Sequence, residues 1–320
     1  MDEFSLIQRY FTPLSLTKDP GVVEGIGDDC AVLDLPQGHQ LVVSIDTLVQ
    51  GTHFLSDAPA YDLAWRLLGA SVSDLAAMGA EPRWLTLALT LPSVDEVWLS
   101  HFSEGLRAAS LAYKVSLIGG DTTRGPLTLT AQVHGLVEAG RGLLRKGAKA
   151  GDIICVTGTL GDSRGGLETL LKSASDNEDV SYLRQRFYRP TPRVSTGRLI
   201  RGFASACIDL SDGLLGDIRH IAAASGVGVQ IDSARLPISA PLKRYVGEEQ
   251  ARQWALSGGE DFELCFTLDP TRWETLQQQR PDWPVEITAI GQITSSNEVQ
   301  VRFDGAWQAS NVQGFNHFTE

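Results

Sequence analysis

The stretch Ala206-Cys207-Ile208-Asp209-Leu210-Ser211-Asp212-Gly213 is the part of the sequence that says most about the fold. Its apolar start predicts a buried strand, and the apolar spacing after Gly213 predicts a helix. Between these elements, Asp209 and Asp212 stand three residues apart, with the hydroxyl of Ser211 between them. A strand, an acidic turn and a helix in succession form a place where α/β proteins bind ligands.

Two interpretations of this acidic turn remain open from the stretch alone. Neighbouring carboxylates repel each other unless a cation lies between them, and a hard cation such as Mg²⁺ takes oxygen ligands. Alternatively, Ser211 or Asp212 caps the N-terminus of the following helix.

Composition limits the classes of function that the chain can have. With 320 residues and 42% hydrophobic content, the chain can bury a sizeable core, which we expect to be divided between two domains. The formal net charge is -12, from 39 acidic and 27 basic residues, which argues against nucleic acid or an anionic membrane as a partner. The four cysteines show no CxxC spacing, and no leader or membrane-spanning run is evident. We therefore expect a cytoplasmic protein.

Strand and helix patterns alternate along the whole chain, which predicts an α/β or α+β protein with domains at residues 1–140 and 141–320. The predicted strands lie at 31–33, 41–46, 84–91, 115–118, 127–138, 153–157, 206–209, 227–231, 262–268, 285–293 and 299–303. The predicted helices lie at 4–11, 60–78, 96–113 after a capping box that begins at Ser93, 166–171, 194–203, 214–222, 242–254 and 271–279. Residues 173–179 are predicted to form a polar loop.

A recurring pattern places an aspartate at or just after the end of an apolar element. The aspartates in this pattern are Asp28, Asp29, Asp46, Asp74, Asp121, Asp209 and Asp212. Each alone is more often a turn or cap residue, but the repetition favours a site for metal and phosphate, because Mg²⁺ is usually bound by one or two carboxylates plus substrate phosphates. The usual nucleotide motifs are missing, although the glycine-rich loop 158–166 before a helix is also compatible with a phosphate site.

Taken together, these motifs resemble the thiamine-monophosphate kinase family, in the superfamily that includes aminoimidazole ribonucleotide synthetase. The segments that carry the resemblance span nearly the whole chain and are Ile26-Gly-Asp-Asp29, Asp46-Thr-Leu-Val-Gln-Gly-Thr-His-Phe54, Ser71-Val-Ser-Asp-Leu-Ala-Ala-Met-Gly79, Gly119-Gly-Asp-Thr122, Gly158-Thr-Leu-Gly-Asp-Ser163, Asp209-Leu-Ser-Asp-Gly213, Gly258-Gly-Glu-Asp-Phe262 and Gly314-Phe-Asn-His-Phe318.

The resemblance implies transfer of the γ-phosphoryl group of ATP, the co-substrate, to thiamine monophosphate, with several Mg²⁺ ions. It also implies a two-domain aminoimidazole ribonucleotide synthetase-like fold of class α/β (α+β). In this fold, the sheet of the N-terminal domain pairs with its twin in a homodimer, and the C-terminal domain is α/β. Rival members of the superfamily carry a reactive cysteine near the N-terminus or at the C-terminal end, and neither is present here.

Site residues follow from the resemblance, position by position. The implied metal ligands are Asp29, Ser44, Ile45 through its carbonyl, Asp46, Asp74, Asp121, Asp209 and Asp212. The implied nucleotide contacts are Gly120, Asp121, Arg145 and Ser211, and the implied substrate contacts are His53, Glu260 and Phe315. Asp28 competes with Asp29 as a ligand, and the choice stays open. One departure is Ser103, which stands where some relatives place a tyrosine against the nucleotide, so no contact is assigned there.

Without the resemblance, the residues outside the acidic turns have ordinary explanations. Arg145 reads as a solvated loop charge, His53 as a surface histidine, Glu260 as a charge at the end of an element and Phe315 as a core residue. No Ser/His/Asp catalytic arrangement can be identified in the sequence, which fits a reaction that depends on metal ions and on positioning of the substrates.

Overall fold

The computed structural model describes residues 3–14, 21–310 and 314, so the predicted substrate contact Phe315 lies outside the described residues. The chain forms two compact units. The first comprises Met1–Leu75 and Ala80–Arg141, and the second comprises Ala76–Gly79 and Gly142–Glu320. Within the described residues, no helix has the length and apolar character needed to cross a membrane.

The first unit contains six strands and three α-helices in its described part. They are α1 (Glu3–Leu6), β1 (Val22–Glu24), β2 (Val32–Leu33), β3 (His39–Val49), α2 (Ala60–Ala77), β4 (Glu81–Leu91), α3 (Glu96–Tyr113), β5 (Ser116–Arg124) and β6 (Thr128–Glu138). A π-helical turn, Ile7–Phe11, continues α1. Four strands form one sheet in the order β3-β6-β4-β5, in which only β4 and β5 run parallel.

The two faces of this sheet differ in burial because side chains alternate along each strand. On one face Leu85, Leu87 and Leu89 of β4 are buried. On the opposite face, Val43 and Ile45 of β3 are 47% and 59% exposed. The sheet therefore packs a core on one side and leaves an apolar strip on the other.

Two sequence predictions in this unit need correction. The predicted capping box at Ser93 is wrong, because the N-cap of α3 is Asp95, whose carboxylate accepts the N–H groups of Val97 and Trp98. The predicted strand 115–118 ends too early, since β5 continues to Arg124. Gly120 makes this possible, because a Cβ at this position would overlap the carbonyl oxygen of Leu87 on the neighbouring strand.

The second unit contains seven strands and seven α-helices in its described part. They are β7 (Ile153–Thr157), α4 (Asp162–Leu171), α5 (Glu178–Tyr188), α6 (Val194–Ile200), β8 (Ala206–Asp209), α7 (Leu214–Ser225), β9 (Gly228–Asp232), α8 (Ala240–Val246), α9 (Glu248–Ser257), β10 (Leu264–Leu268), α10 (Pro270–Gln278), β11 (Ile287–Thr294), β12 (Val299–Phe303) and β13 (Ala306–Ala309).

All seven strands of the second unit form one sheet in the order β13-β12-β9-β11-β7-β10-β8. Only β9 and β12 are parallel, and β8 pairs antiparallel with β10 at one edge. Apolar side chains cover both faces: Val156 packs in a cluster with residues of α7, and Cys155 packs in a cluster with Ile200 of α6 and Leu276 of α10. The uninterrupted apolar strands read from the sequence are therefore buried on both sides, as predicted.

Two local predictions in this unit are wrong, and one strand was not predicted. The loop predicted at 173–179 ends at Asn177, which caps α5, a helix that was not predicted although Val180, Leu183 and Phe187 repeat at helical spacing. The helix predicted at 242–254 is two helices, α8 and α9, because Gly247 takes a left-handed φ of 82° between them. The edge strand β13 was not predicted either.

Candidate active site

A pair of carboxylates lies between β3 and α2 in the first unit. Ser44 and Asp46 are alternate residues of β3 and point to the same face, where the Ser44 hydroxyl donates to the carboxylate of Asp74 on α2. Burial, and then the charge of Asp74, raise the pKa of Asp46 to about 6, against the opposing effect of a hydrogen bond with Ser71. Burial and mutual repulsion make the negative charge of these two carboxylates unfavourable. A hard cation, which takes oxygen ligands, would offset both effects.

The carbonyl group of Ile45 lies at the free edge of β3. Val49 turns its N–H and C=O away from β6: its N–H donates to the ring of His53 (3.0 Å), and its carbonyl accepts the N–H of His53 (2.9 Å). Because the direction of backbone groups alternates along an antiparallel strand, Ile45, four residues earlier, directs its carbonyl the same way. Among the described strands β3 has a neighbour on one side only, so this carbonyl is available to a ligand.

His53 is fixed in one tautomer by the turn that follows β3. Its Nδ1 accepts the N–H of Val49 at 3.0 Å, so the neutral ring carries its proton on Nε2. The carbonyl of His53 accepts a hydrogen bond from Nη2 of Arg66 (3.3 Å), whose side chain is buried in α2. An N–H group on Nε2 is of the kind that binds a phosphate oxygen.

A cleft of about 900 Å³ brings the two acidic loops of the first unit together. It is lined by the segments 25–31 and 117–122, and also by Ile7, Gln8, Phe11, Thr12, Thr86 and Leu87. Asp28 and Asp29 thus share one cavity with Gly120 and Asp121. Asp28 accepts the N–H of Asp29 (2.7 Å) through one of its two carboxylate oxygens, so both aspartates still have an oxygen that can bind a metal ion.

The acidic turn of the second unit is not a helix cap. The N-cap of α7 is Gly213, so neither Ser211 nor Asp212 is the N-cap residue, and the alternative role is wrong. Instead, the N–H of Asp212 donates to the carboxylate of Asp217 at 3.0 Å. Burial, and then the charges of Asp209 and Asp212, raise the pKa of Asp217 to about 8.

Asp217 was not identified from the sequence. The available signal was its position in the first turn of α7 between the buried residues Leu215 and Ile218, where an acid is out of place on an otherwise apolar face. Its function in the fold is to hold the turn that carries Asp209 and Asp212.

Two further predicted site residues, and Gly314 from the C-terminal motif, lie around this acidic turn. The positive charge of Arg145 acts on Asp217 and opposes the rise of its pKa. Glu260 donates its N–H to the carbonyl of Ser211 (2.7 Å). Gly314 is so close that a Cβ at this position would lie 2.8 Å from Cβ of Asp212. The second unit therefore brings the acidic turn, Arg145 and Glu260 together.

The glycine-rich loop 158–166 binds carboxylates of its own unit. Asp261 accepts the N–H groups of Gly161 (2.6 Å) and Ser163 (3.1 Å) at the N-terminus of α4. Gly158 is equally constrained, because a Cβ there would overlap the carboxylate of Glu263. These N–H groups are already bound by the carboxyl group of Asp261, so the structure gives no support to this loop as a phosphate site.

A buried network around Glu263 was also missed from the sequence. Glu263 accepts from the hydroxyl of Thr157 (2.7 Å), from Nη2 of Arg186 (2.8 Å) and from Nε and Nη2 of Arg193 (2.6 and 2.5 Å). Its partners lie 70 to 106 residues away in the chain, so no local sequence pattern predicts these contacts.

Within residues 3–14, 21–310 and 314, no group of three or more His, Cys, Asp or Glu side chains is placed to hold a metal ion by itself. The implied ligands occur instead as smaller sets: the pair on β3 and α2, the cleft, and the acidic turn of the second unit. Such sets suit Mg²⁺, which completes its coordination with waters and substrate phosphates.

Comparison with known proteins shows what these features belong to. Residues 27–137 match the family described as AIR synthase related protein, N-terminal domain, and residues 149–304 match its C-terminal domain. A thiamine-monophosphate kinase of Salmonella typhimurium is 50% identical over 319 residues, covering 99% of this chain and 98% of that protein.

Two solved structures are similar over almost the whole chain. The crystal structure of a thiamine-monophosphate kinase from Stenotrophomonas maltophilia has a TM-score of 0.87 and 43% identity, covering 95% of this chain and 97% of the other. A structure of AaThiL complexed with AMPPCP and TMP has a TM-score of 0.80 and 33% identity, covering 99% and 97%. These matches confirm the predicted two-domain fold, and the chain belongs to the AIR synthase-related family and, within it, to the thiamine-monophosphate kinases.

Proposed function

We propose that this protein transfers the γ-phosphoryl group of ATP to thiamine monophosphate, giving thiamine diphosphate and ADP. The observation that carries the proposal is the 50% identity to a thiamine-monophosphate kinase over 99% of the chain. The bound AMPPCP, an ATP analogue, and TMP in the similar AaThiL structure support the same pair of substrates.

The test is a coupled assay of ADP release with three rival acceptors: thiamine monophosphate, thiamine and thiamine diphosphate. ADP release that depends on thiamine monophosphate, together with formation of thiamine diphosphate, is expected. Equal release with thiamine, or release without any acceptor, would contradict the proposal.

We assign nucleotide and metal binding to residues 1–140 and to the acidic turn of the second domain, residues 141–320. In the first unit, Asp29 and Asp121 line the cleft, and Asp46 and Asp74 form the separate pair with Ser44 on β3 and α2. Bound Mg²⁺ would neutralise the phosphates and lower the repulsion between the two anionic substrates. The remaining proposed ligands are the Ile45 carbonyl, Asp209 and Asp212, with Gly120, Arg145 and Ser211 as nucleotide contacts.

The acceptor needs no strong general base. The second pKa of a phosphate monoester is about 6, so its attacking oxygen is already anionic near neutral pH. The chain must therefore position two anions and screen their charges, which is the usual basis of phosphoryl-transfer catalysis. His53, whose Nε2 carries the proton, and Arg145 are suited to bind phosphate oxygens.

We propose direct in-line transfer without a phosphorylated enzyme. Incubation with γ-labelled ATP in the absence of acceptor, followed by rapid denaturation, should leave no label on the protein. A chemically stable labelled side chain that then transfers its phosphoryl group to thiamine monophosphate would overturn this mechanism.

The substrate's base is proposed to lie at the second unit. We assign Glu260, whose turn lies against Ser211 and close to Asp212, as the acceptor of a hydrogen bond from the aminopyrimidine ring. Phe315, which follows Gly314 in sequence, is proposed to stack on the substrate's rings.

The protein is further proposed to be a cytoplasmic homodimer. The exposed strip of Leu41, Val43 and Ile45 lies on the open face of the four-stranded sheet. A contiguous apolar strip on a free sheet face and edge is a common site of association between two copies. Free thiols at all four cysteines suit a reducing compartment.

A further inference from the structure

Two residues with left-handed backbone flank Asp261. Glu260 has a φ of 68° and Phe262 a φ of 51°, conformations that side-chain-bearing residues rarely adopt. Such a backbone persists only where its surroundings hold it, and it is concentrated at functional sites. The turn that carries Glu260 is therefore held in place by specific contacts.

One set of contacts comes from the acidic turn. The N–H of Glu260 donates to the carbonyl of Ser211 (2.7 Å), and the N–H of Phe262 donates to the carbonyl of Leu210 (2.9 Å). The approach is so close that a Cβ on Gly259 would lie 2.5 Å from the Ser211 oxygen. These bonds fix the backbone on one side of the turn.

The other set comes from the side chain of Asp261. This carboxyl is 4% exposed and accepts the N–H groups of Gly161 and Ser163 at the N-terminus of α4. The two N–H groups belong to residues 100 and 98 positions earlier in the chain. Asp261 therefore ties the turn to a helix that neither Glu260 nor Phe262 contacts through these backbone bonds.

We propose that Asp261 is a positioning residue that sets the direction of Glu260 by anchoring its turn to the N-terminus of α4, and thereby governs recognition of the pyrimidine amino group. This rests on the proposed function of Glu260 as the group that accepts from that amine. An anchor on each side of a strained turn leaves the side chain between them little freedom. The geometry for recognising the amine is thus set before the substrate arrives.

The readout is discrimination between thiamine monophosphate and its analogue in which an oxo group replaces the pyrimidine amino group, expressed as the ratio of kcat/KM values. Asp261→Asn has nearly the same volume but must direct an NH₂ group at one of the two N–H donors. We expect the ratio to fall by about tenfold, with the KM for ATP changed by less than about twofold.

The matched control is Asp152→Asn. Asp152 is a buried acid of the same unit that accepts the N–H of Lys149 and the hydroxyl of Ser205, away from the turn. Asp152→Asn replaces a buried carboxyl by an amide, as Asp261→Asn does. If general disorder of the core lowered discrimination, both variants would therefore show it. We expect the control to keep the wild-type ratio within about twofold.

A second variant covers the case in which Asp261→Asn does not fold. In Gly161→Ala, the added Cβ would lie 2.9 Å from the backbone nitrogen of Ala255, which displaces the anchor while Asp261 is kept. Gly226→Ala is its control, since Gly226 also has a left-handed φ but nothing lies within 4 Å of the added Cβ. Gly161→Ala should lose discrimination and Gly226→Ala should keep it.

Glu260→Gln distinguishes a failure of the anchor proposal from a failure of the contact assigned to Glu260. If Glu260→Gln loses discrimination and folded Asp261→Asn and Gly161→Ala keep it, the anchor proposal is overturned and the function of Glu260 stands. If Glu260→Gln itself discriminates as well as wild type, the assigned contact fails and the anchor proposal falls with it. Loss of discrimination in Glu260→Gln, Asp261→Asn and Gly161→Ala, but in neither control, supports the proposal.

Discussion

Glu263 is the carboxylate on which the buried ion pairs of the second unit converge, and its replacement by glutamine tests whether they stabilise the fold. Its side chain is fully buried, and its two oxygens accept three guanidinium N–H bonds, one from Arg186 and two from Arg193. Thr157 adds a hydroxyl bond of 2.7 Å. Glutamine has the same shape but no charge, and its NH₂ group must face a guanidinium donor.

The expected loss of stability follows from these contacts. Removing one partner of a buried ion pair leaves the other charges buried and uncompensated, which costs about 3–5 kcal/mol. A native domain is stable by about 5–15 kcal/mol, so Glu263→Gln removes a large fraction of that margin. We expect a clear fall in the urea midpoint of the second unit. The unfolding transition is measured by circular dichroism and tryptophan fluorescence.

The control is the same substitution in an exposed pair. Glu286 accepts from Arg280 at 2.6 Å, but the side chains are 54% and 63% exposed. Exposed pairs contribute about 0–1 kcal/mol, so Glu286→Gln should leave the urea midpoint almost unchanged. The reasoning is refuted if Glu263→Gln unfolds within about 1 kcal/mol of wild type, or if both variants lose equal stability.

Three other predictions concern assembly and the proposed site. Val43→Glu should convert the proposed dimer to monomers in light scattering, while Val97→Glu, an even more exposed apolar position on α3, should leave the mass unchanged; a dimeric Val43→Glu would contradict the assigned face. Asp209→Asn should lower turnover by about a hundredfold with Mg²⁺ present, with the Tm within about 4 °C of wild type; normal turnover removes it from the metal ligands. Gly120→Ala should lower the unfolding free energy of the first unit by about 3 kcal/mol, because the new Cβ meets the Leu87 carbonyl; unchanged urea unfolding would show that β5 moves aside freely.

The elements that could be predicted are those whose signal is local. Strands such as Ile153–Thr157 and Ala206–Asp209 are uninterrupted apolar runs, and they are buried on both faces of the sheet. The long helix Ala60–Ala77 shows an apolar stripe at helical spacing. In each case, burial against neighbours reinforces what the segment already favours by itself.

The elements that were missed depend on short or mixed signals. The helix Glu178–Tyr188 begins in an acidic, polar segment, and only three widely spaced apolar residues mark its buried face. A single glycine with left-handed φ, Gly247, breaks an otherwise continuous helical pattern into two. Such a break depends on tertiary packing that the local sequence does not record.

At the candidate site, the acidic turns could be predicted from local sequence, but the residues that hold these turns in place could not. The acidic turns were found because each places aspartates directly after an apolar element. The partners that hold these turns were not, because Asp261 binds N–H groups about 100 residues away and Asp217 is an acid inside an apolar helix face. Sequence spacing identifies chemically suitable groups, but only the fold shows which groups hold them in position.

Glu263 differs in its surroundings from the acids of the proposed metal site. Glu263 is surrounded by two guanidiniums, so its charge is balanced within the unit and needs no ligand. Burial raises the pKa of Asp46 and of Asp217 most, and the charges of other acids raise it further, Asp74 for Asp46 and Asp209 and Asp212 for Asp217. Like charges concentrated by the fold carry an energetic cost that a bound cation would relieve. At the proposed site, bound Mg²⁺, with waters and substrate phosphates completing its coordination, would offset this cost.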